Sequence, residues 1–225
     1  MNRVEEAVTL AALLATPTLI WPLLLLWHKQ SQPSKSSEEI PNDSPNKEFH
    51  EKLQAQLLDL TIQSYEQLIA QVLRSVGYEN VRVLRDPRPS RRSHKGRNRH
   101  GGYDITALVS TEFNTQPILI QVKQYERPIS RRFVDELRGA LLRTQARQGV
   151  LITTSTFAPR ARQAASEDHI GPIHLIDGAG LHELLVRYRL GVGENRRGRL
   201  YIQKRFFRRL EQFLPTEPKV TWEQV

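Results

Sequence analysis

Two stretches of alternating apolar and polar residues in the middle of the chain constrain the fold more than any other feature. They read GGYDITALVS (residues 101–110) and ILIQVKQY (residues 118–125), and a turn-like segment, TEFNTQP, lies between them. Successive side chains of a strand point to opposite faces of a sheet, so this alternation is typical of β-strands. The sequence therefore predicts a β-hairpin here.

Helical and strand-like segments alternate on both sides of the hairpin. Apolar residues recur at spacings of three and four over residues 48–76, which predicts one helix that ends at Gly77. The remaining predicted elements are a strand NVRVL, a helix over 130–147, a strand GVLITTS, a helix over 159–167, a strand PIHLI, a helix over 179–190 and a last helical segment over 200–214. This order indicates an α/β fold with a mixed central sheet flanked by helices.

The N-terminal region has a different character. Residues 7–27 contain no charge over 21 positions, which is long enough for a helix to cross the roughly 30 Å core of a bilayer. We expect a transmembrane anchor over residues 1–28, and a secretory signal peptide is the alternative. Lys29 and Lys35 follow the apolar run and only Arg3 precedes it, which favours a single-pass protein whose C-terminal domain faces the cytoplasm.

The predicted domain boundaries follow from composition. Residues 29–47 are rich in Ser, Pro, Asn and Glu, so they are expected to form a flexible linker. The folded domain that contains the hairpin is predicted over residues 48–190, and a basic C-terminal extension is predicted over residues 191–225.

Charge and cysteine content narrow the classes of function. The chain has a formal net charge of +9 and no cysteine, which excludes disulfides, thiolate metal sites and a cysteine nucleophile. The first 50 residues are net acidic, so the basic character belongs to the remainder. A polyanionic partner, either nucleic acid or an anionic membrane surface, is therefore expected.

Three polar residues interrupt the apolar pattern of the hairpin. Gln121 and Lys123 share one face of their strand, and pairing of the strands brings Asp104 beside them. The carboxylate of Asp104 and the amide oxygen of Gln121 can hold Mg²⁺, and a nearby ammonium can stabilise charge on a phosphate that is being hydrolysed. Glu66, beside the apolar stripe of the first helix, is a candidate second carboxylate.

Two basic segments accompany these residues. Residues 85–100 contain no apolar side chain and are either a DNA-binding arm or a solvated loop. The candidate DNA-binding residues there are Arg91, Arg92, Lys95, Arg97 and Arg99. The C-terminal segment RRGRLYIQKRFFRRLEQF interleaves basic and aromatic residues. Its first interpretation is a helix whose aromatic stripe packs on the domain, and contact with DNA or an anionic leaflet are the alternatives.

The motifs together resemble the Mrr-type restriction endonuclease domain, a branch of the PD-(D/E)xK nuclease superfamily. The resemblance covers residues 65–185 and is carried, in the family's order, by YEQLIAQVLRSVGYENVRV, GGYDITALV, ILIQVKQY, VDELRGALLRTQARQGVLITTSTFAPRARQAA and IHLIDGAGLHELL. It implies a restriction-endonuclease-like fold.

The resemblance also implies roles for individual residues. Asp104 would be a metal ligand, Gln121 a ligand or water-positioning residue, Lys123 the catalytic lysine and Glu66 the supporting acid of the helix. Two features depart from the family pattern: the approach to Asp104, KGRNRHGGYD, is basic, and Gln121 is neutral. A neutral ligand implies weak Mg²⁺ affinity.

The expected function is a membrane-tethered, Mrr-like (type IV restriction-like) DNA endonuclease that depends on Mg²⁺ or Mn²⁺. The alternative is a catalytically inactive DNA-binding module that anchors DNA at the membrane, and a membrane-surface protein without nucleic acid is a third interpretation. The expected partners are DNA and the membrane, and a homodimer is a further candidate assembly.

Overall fold

The computed structural model describes residues 45–84, 101–110, 114–167 and 172–212. Its helices are α1 (Pro45–Asp59), α2 (Ile62–Val76), α3 (Arg131–Thr144), α4 (Pro159–Ser166), α5 (Gly178–Arg187) and α6 (Lys204–Gln212). Its strands are β1 (Glu79–Val83), β2 (Ile105–Ser110), β3 (Thr115–Lys123), β4 (Gln148–Thr153), β5 (Ile173–Ile176), β6 (Val192–Glu194) and β7 (Leu200–Ile202).

The central sheet has the order β1-β2-β3-β4-β5. The pairs β1 with β2 and β2 with β3 are antiparallel, whereas β3 with β4 and β4 with β5 are parallel. The predicted mixed sheet and its hairpin are confirmed. β3 lies at the centre of the sheet, which places its residues between a helical layer on each face.

The two faces of the sheet bury separate cores. The larger core joins apolar residues of α1, α2, α5 and α6 to one face of the sheet, and the smaller core joins those of α3 and α4 to the other. Ile120 of β3 belongs to the larger core and its neighbour Leu119 to the smaller one, because side chains alternate along a strand. The helices on both faces therefore confirm the predicted layering.

The single helix predicted over residues 48–76 is wrong, since the structure has two helices that break at Leu60 and Thr61. The Thr61 side chain accepts a hydrogen bond from the Ser64 backbone N–H at 3.2 Å, so Thr61 caps the start of α2. At the other end Gly77, with φ of 107°, ends α2 as predicted.

The last predicted helix is also partly wrong, because a short hairpin of β6 and β7 precedes α6. Val192, Phe207 and Leu210 of this region lie in the larger core, although they follow the boundary expected at residue 190. The predicted packing of the aromatic residues on the domain is confirmed for Phe207, which is 2% exposed. The hairpin and α6 are therefore built onto the same core as the sheet.

Candidate active site

The pairing of β2 with β3 brings Asp104 and Gln121 together. Ile105 pairs with Ile120, and Asp104 directly precedes Ile105 while Gln121 directly follows Ile120, so the two residues lie close to each other beside the last pair of the ladder. The Asp104 backbone N–H donates to the Ile120 carbonyl at 2.8 Å. One carboxylate oxygen of Asp104 accepts a hydrogen bond from the Val122 backbone N–H at 2.7 Å. The carboxylate is therefore hydrogen-bonded to β3, the strand that carries Gln121 and Lys123.

Gln121 and Lys123 share the face of β3 that is covered by α3. Ile118, Ile120 and Val122 point into the larger core, so the residues between them point to the opposite face. This confirms the predicted division of the strand. The structure thus brings Asp104, which directly precedes β2, close to Gln121 and Lys123 on β3.

The Gln121 side chain is buried without partners. It is 0% exposed, and neither its amide nitrogen nor its amide oxygen has a hydrogen-bond partner within the described ranges. An unpartnered buried amide costs roughly 1–3 kcal/mol, so a fold does not retain one for stability. The amide oxygen is a hard donor next to a carboxylate, and this donor set fits a divalent cation such as Mg²⁺ or Mn²⁺.

Lys123 is held beneath an aromatic ring. It is 7% exposed, and its ammonium nitrogen lies 5.3 Å from the centre of the Phe133 ring on α3. The Tyr125 ring meets Phe133 edge to face, with 5.6 Å between ring centres. The sequence analysis did not single out Phe133, although its spacing to Leu137 and Leu141 indicates the inward face of α3. The cation is therefore confined by a cation–π contact at the end of the strand.

The two glycines before Asp104 allow the backbone of this segment to pass close to α3. Gly101 and Gly102 have φ values of 76° and 104°, which side chains rarely permit. A Cβ atom on Gly102 would lie 2.8 Å from the carbonyl oxygen of Glu136 on α3. This close backbone approach seats the segment before β2 against α3.

Hydrogen bonds also fix the carboxyl end of β3. The Gln124 amide nitrogen donates to the carbonyls of Leu57 and Leu60 at 2.8 Å, at the end of α1. The Thr154 hydroxyl donates to the Tyr125 carbonyl at 2.7 Å and accepts from the Tyr125 N–H at 2.9 Å. Lys123 is therefore anchored from its C-terminal side by α1 and by the end of β4.

Glu66 is placed differently from the other candidates. It lies partly buried on α2, and its neighbours Tyr65, Leu68 and Ile69 pack into the larger core. α2 thus covers the sheet face opposite Gln121 and Lys123. Among the described residues, no group of three His, Cys, Asp or Glu side chains is arranged to hold a metal. The role of Glu66 in the site stays a prediction.

The remaining predictions fall outside the described residues. These are the transmembrane anchor, most of the linker, and the candidate DNA-binding residues Arg91, Arg92, Lys95, Arg97 and Arg99. Within the part of the chain that the structure does describe, no helix combines the length and apolar character needed to cross a membrane.

Comparisons with known proteins show which family the chain is similar to. A model of the Mrr catalytic domain, described as a restriction endonuclease family, matches residues 57–185, which is more than half of the chain. The type IV methyl-directed restriction enzyme EcoKMrr of Escherichia coli (strain K12) is 26% identical over 164 residues. That match covers 71% of this chain and 50% of EcoKMrr, so the chain spans about half the length of this relative.

Two solved structures are similar in part. The DNA modification-dependent restriction endonuclease AspBHI matches with a TM-score of 0.48 and 16% identity, over 67% of this chain and 39% of AspBHI. The MspJI restriction endonuclease, solved with a 27-mer oligonucleotide, matches with a TM-score of 0.47 and 22% identity, over 69% of this chain and 34% of MspJI. The assignment rests on the family model, whose match includes Asp104, Gln121, Lys123 and Glu66. The chain belongs to the Mrr catalytic-domain family of restriction endonucleases.

Proposed function

We propose that the protein is a divalent-metal-dependent DNA endonuclease that hydrolyses phosphodiester bonds. The observation that carries this proposal is the unpartnered, fully buried amide of Gln121, which adjoins the Asp104–Val122 hydrogen bond and lies on the same face as Lys123. Buried polar groups in a sheet are destabilising unless they have a hydrogen-bond partner or bind a ligand. Family membership supports a phosphodiester as the group that they act on.

In this proposal each residue has a separate task. The Asp104 carboxylate and the Gln121 amide oxygen would hold Mg²⁺ or Mn²⁺, and water or phosphate oxygens would complete the ligand set. When bound, the cation polarises the scissile phosphate and lowers the pKa of a coordinated water. The Lys123 ammonium orients the attacking water and stabilises negative charge on the phosphate oxygens. Glu66 is proposed as a supporting acid.

The same proposal includes DNA contacts and a membrane tether. Residues 85–100 lead directly to Asp104, so their arginines and lysine are positioned in sequence to neutralise phosphates near the site. Residues 7–27 would anchor the enzyme, with the nuclease domain on the cytoplasmic side. A homodimer remains a prediction, and sedimentation of the full chain with and without DNA tests it.

Nicking of supercoiled plasmid by the full chain tests the activity. The assay compares Mg²⁺, Mn²⁺ and EDTA, uses methylated and unmethylated plasmid, and includes Lys123→Ala. Asp135→Asn is the control, because it removes a carboxylate from the exposed side of α3. We expect metal-dependent nicking by the parent and the control, and DNA binding without nicking by Lys123→Ala.

Two results would contradict the proposal. DNA binding by the parent without nicking under every condition would favour the catalytically inactive DNA-binding module. Equal nicking by Lys123→Ala and the parent would place the chemistry elsewhere. Membrane association is tested separately, by flotation of the full chain and of a chain without residues 1–28, and loss of flotation is expected only for the second.

A further inference from the structure

Seven exposed cations lie on the segment that follows the family-matched residues. This C-terminal basic surface, carried by α6 and the turn between β6 and β7, consists of Arg196, Arg197, Arg199, Lys204, Arg205, Arg208 and Arg209. None of these side chains forms an ion pair with a residue in the described ranges. Over residues 195–212 the sequence has a single acidic residue, Glu211. The surface therefore has a concentrated positive charge that the residues described by the structure do not neutralise.

Backbone hydrogen bonds hold the arginine-rich turn in one conformation. The side-chain oxygen of Asn195 accepts hydrogen bonds from the N–H groups of Arg197 and Arg199 at 2.9 and 3.0 Å. The Gly198 N–H donates to the Asn195 carbonyl at 3.0 Å, and the φ of Gly198 is 74°. The arginine side chains take no part in these hydrogen bonds. They therefore project into solvent from a turn whose backbone conformation is fixed.

α6 divides its two sides between the core and the solvent. Phe207 and Leu210 are 2% and 5% exposed and lie in the larger core. At about 100° per residue, the four basic residues of α6 span an arc of about 140° on the other side. The exposed positions of this helix are Lys204, Arg205, Arg208, Arg209, Glu211 and Gln212. Its apolar side is already buried, so α6 has no apolar face to insert into a bilayer.

We propose that the C-terminal basic surface binds the phosphodiester backbone of a second stretch of nucleic acid. Six of its seven cations are arginines, whose planar guanidinium groups suit phosphate oxygens. α6 lies in the helical layer on the sheet face opposite Gln121 and Lys123. The protein would then hold one stretch at the active site, which rests on the proposed function, and another on this surface.

A bridging assay with the full chain tests this proposal. One short DNA duplex is immobilised, a second duplex is fluorescent, and divalent metal is left out so that no cleavage occurs. Arg205→Gln/Arg209→Gln is compared with the control Lys52→Gln/Arg147→Gln, which removes two exposed cations from outside the surface. We expect the parent and the control to capture the second duplex, and the α6 variant to lose capture at least about fivefold.

The salt dependence of duplex binding gives a second readout. Each lost phosphate contact lowers the slope of the logarithm of affinity against the logarithm of salt by about one, so the α6 variant should lose about two. Unchanged capture and slope would overturn the proposal. It would also be wrong if a chain without residues 1–28 floated with phosphatidylserine vesicles and lost flotation on the two α6 substitutions, while the full-chain α6 variant kept DNA capture, since that result assigns the surface to lipid. Plasmid nicking by the same proteins reports separately on the active site.

Discussion

The Asp104 carboxylate accepts a hydrogen bond of 2.7 Å from the Val122 backbone N–H, which joins the residue before β2 to the carboxyl end of β3. This contact gives Asp104 a structural task as well as the proposed catalytic one. The two tasks depend on different properties, because the hydrogen bond needs an oxygen acceptor whereas a metal ligand of this kind needs a negative charge.

Substitutions at Asp104 should separate these tasks. Asp104→Asn keeps an oxygen acceptor and removes the charge, so we expect nicking to fall by roughly 100-fold or more with a melting temperature close to that of the parent. Asp104→Ala should lose both nicking and a few degrees of melting temperature. Nicking rates and thermal unfolding check this prediction, and near-normal nicking by Asp104→Asn would contradict it.

Gln121→Leu should be more stable than the parent and inactive. Leucine has a similar size and carries no polar atoms, so the substitution removes an unpartnered buried amide that costs roughly 1–3 kcal/mol. The metal ligand disappears with the amide. Chemical unfolding and plasmid nicking of the same preparation measure the two effects, and a destabilised Gln121→Leu would show that the amide has a structural partner.

Gln121→Glu tests the charge of the proposed metal site. A carboxylate in this dry position should destabilise the metal-free protein, because a buried charge is unfavourable. Added Mg²⁺ should restore stability, and less Mg²⁺ should be needed for half-maximal nicking. Thermal unfolding across a Mg²⁺ titration gives the first readout. If the melting temperature of Gln121→Glu does not change with the Mg²⁺ concentration, the result would argue against metal binding at residue 121.

Phe133→Leu should slow cleavage without unfolding the domain. The substitution keeps an apolar side chain but removes the ring face that lies 5.3 Å from the Lys123 ammonium. Since such contacts contribute about 0.5–2 kcal/mol, we expect a decrease in the nicking rate of up to roughly 30-fold. Phe157→Leu is the matched control, because Phe157 lies in the same core and has Arg162 over its ring. Equal effects of both substitutions would mean that Phe133 acts only through packing.

His182 should make the fold sensitive to acid. Burial, and secondarily the charge of His50, lower the pKa of His182 to about 4. The unfolded chain takes up this proton below its ordinary value of about 6.5 whereas the folded chain does not, so stability falls as the pH decreases from about 6.5 towards 4. By pH 5 the loss attributable to His182 is at most about 2 kcal/mol.

Thermal unfolding at pH 7.5 and pH 5 measures this loss. We expect the melting temperature of His182→Leu to fall by a few degrees less than that of the parent between the two pH values. His50→Leu is the comparison. The His50 ring stacks on His182 with 5.4 Å between ring centres, but His50 is exposed whereas His182 is buried. An identical acid shift in the parent and His182→Leu would contradict the prediction.

The sequence by itself determined the hairpin, the mixed sheet and the face that Gln121 and Lys123 share. These features depend on periodicity, and in a strand a side chain's face follows from its position alone. Asp104 could likewise be placed beside them, because a hairpin brings together residues at matching distances from its turn. Gly77 as the end of α2 was also predictable, since the signal lies in a single residue.

Tertiary structure decided what surrounds these residues. The break at Thr61 depends on a cap that competes with an otherwise helical pattern, and Phe133 reaches Lys123 only because α3 packs across the end of β3. The isolation of the Gln121 amide is also a property of the packed core, since a partner can come from any element that crosses the strand. Periodicity reports which face a side chain occupies, whereas its contacts are set by segments distant in sequence, and only the fold brings those together.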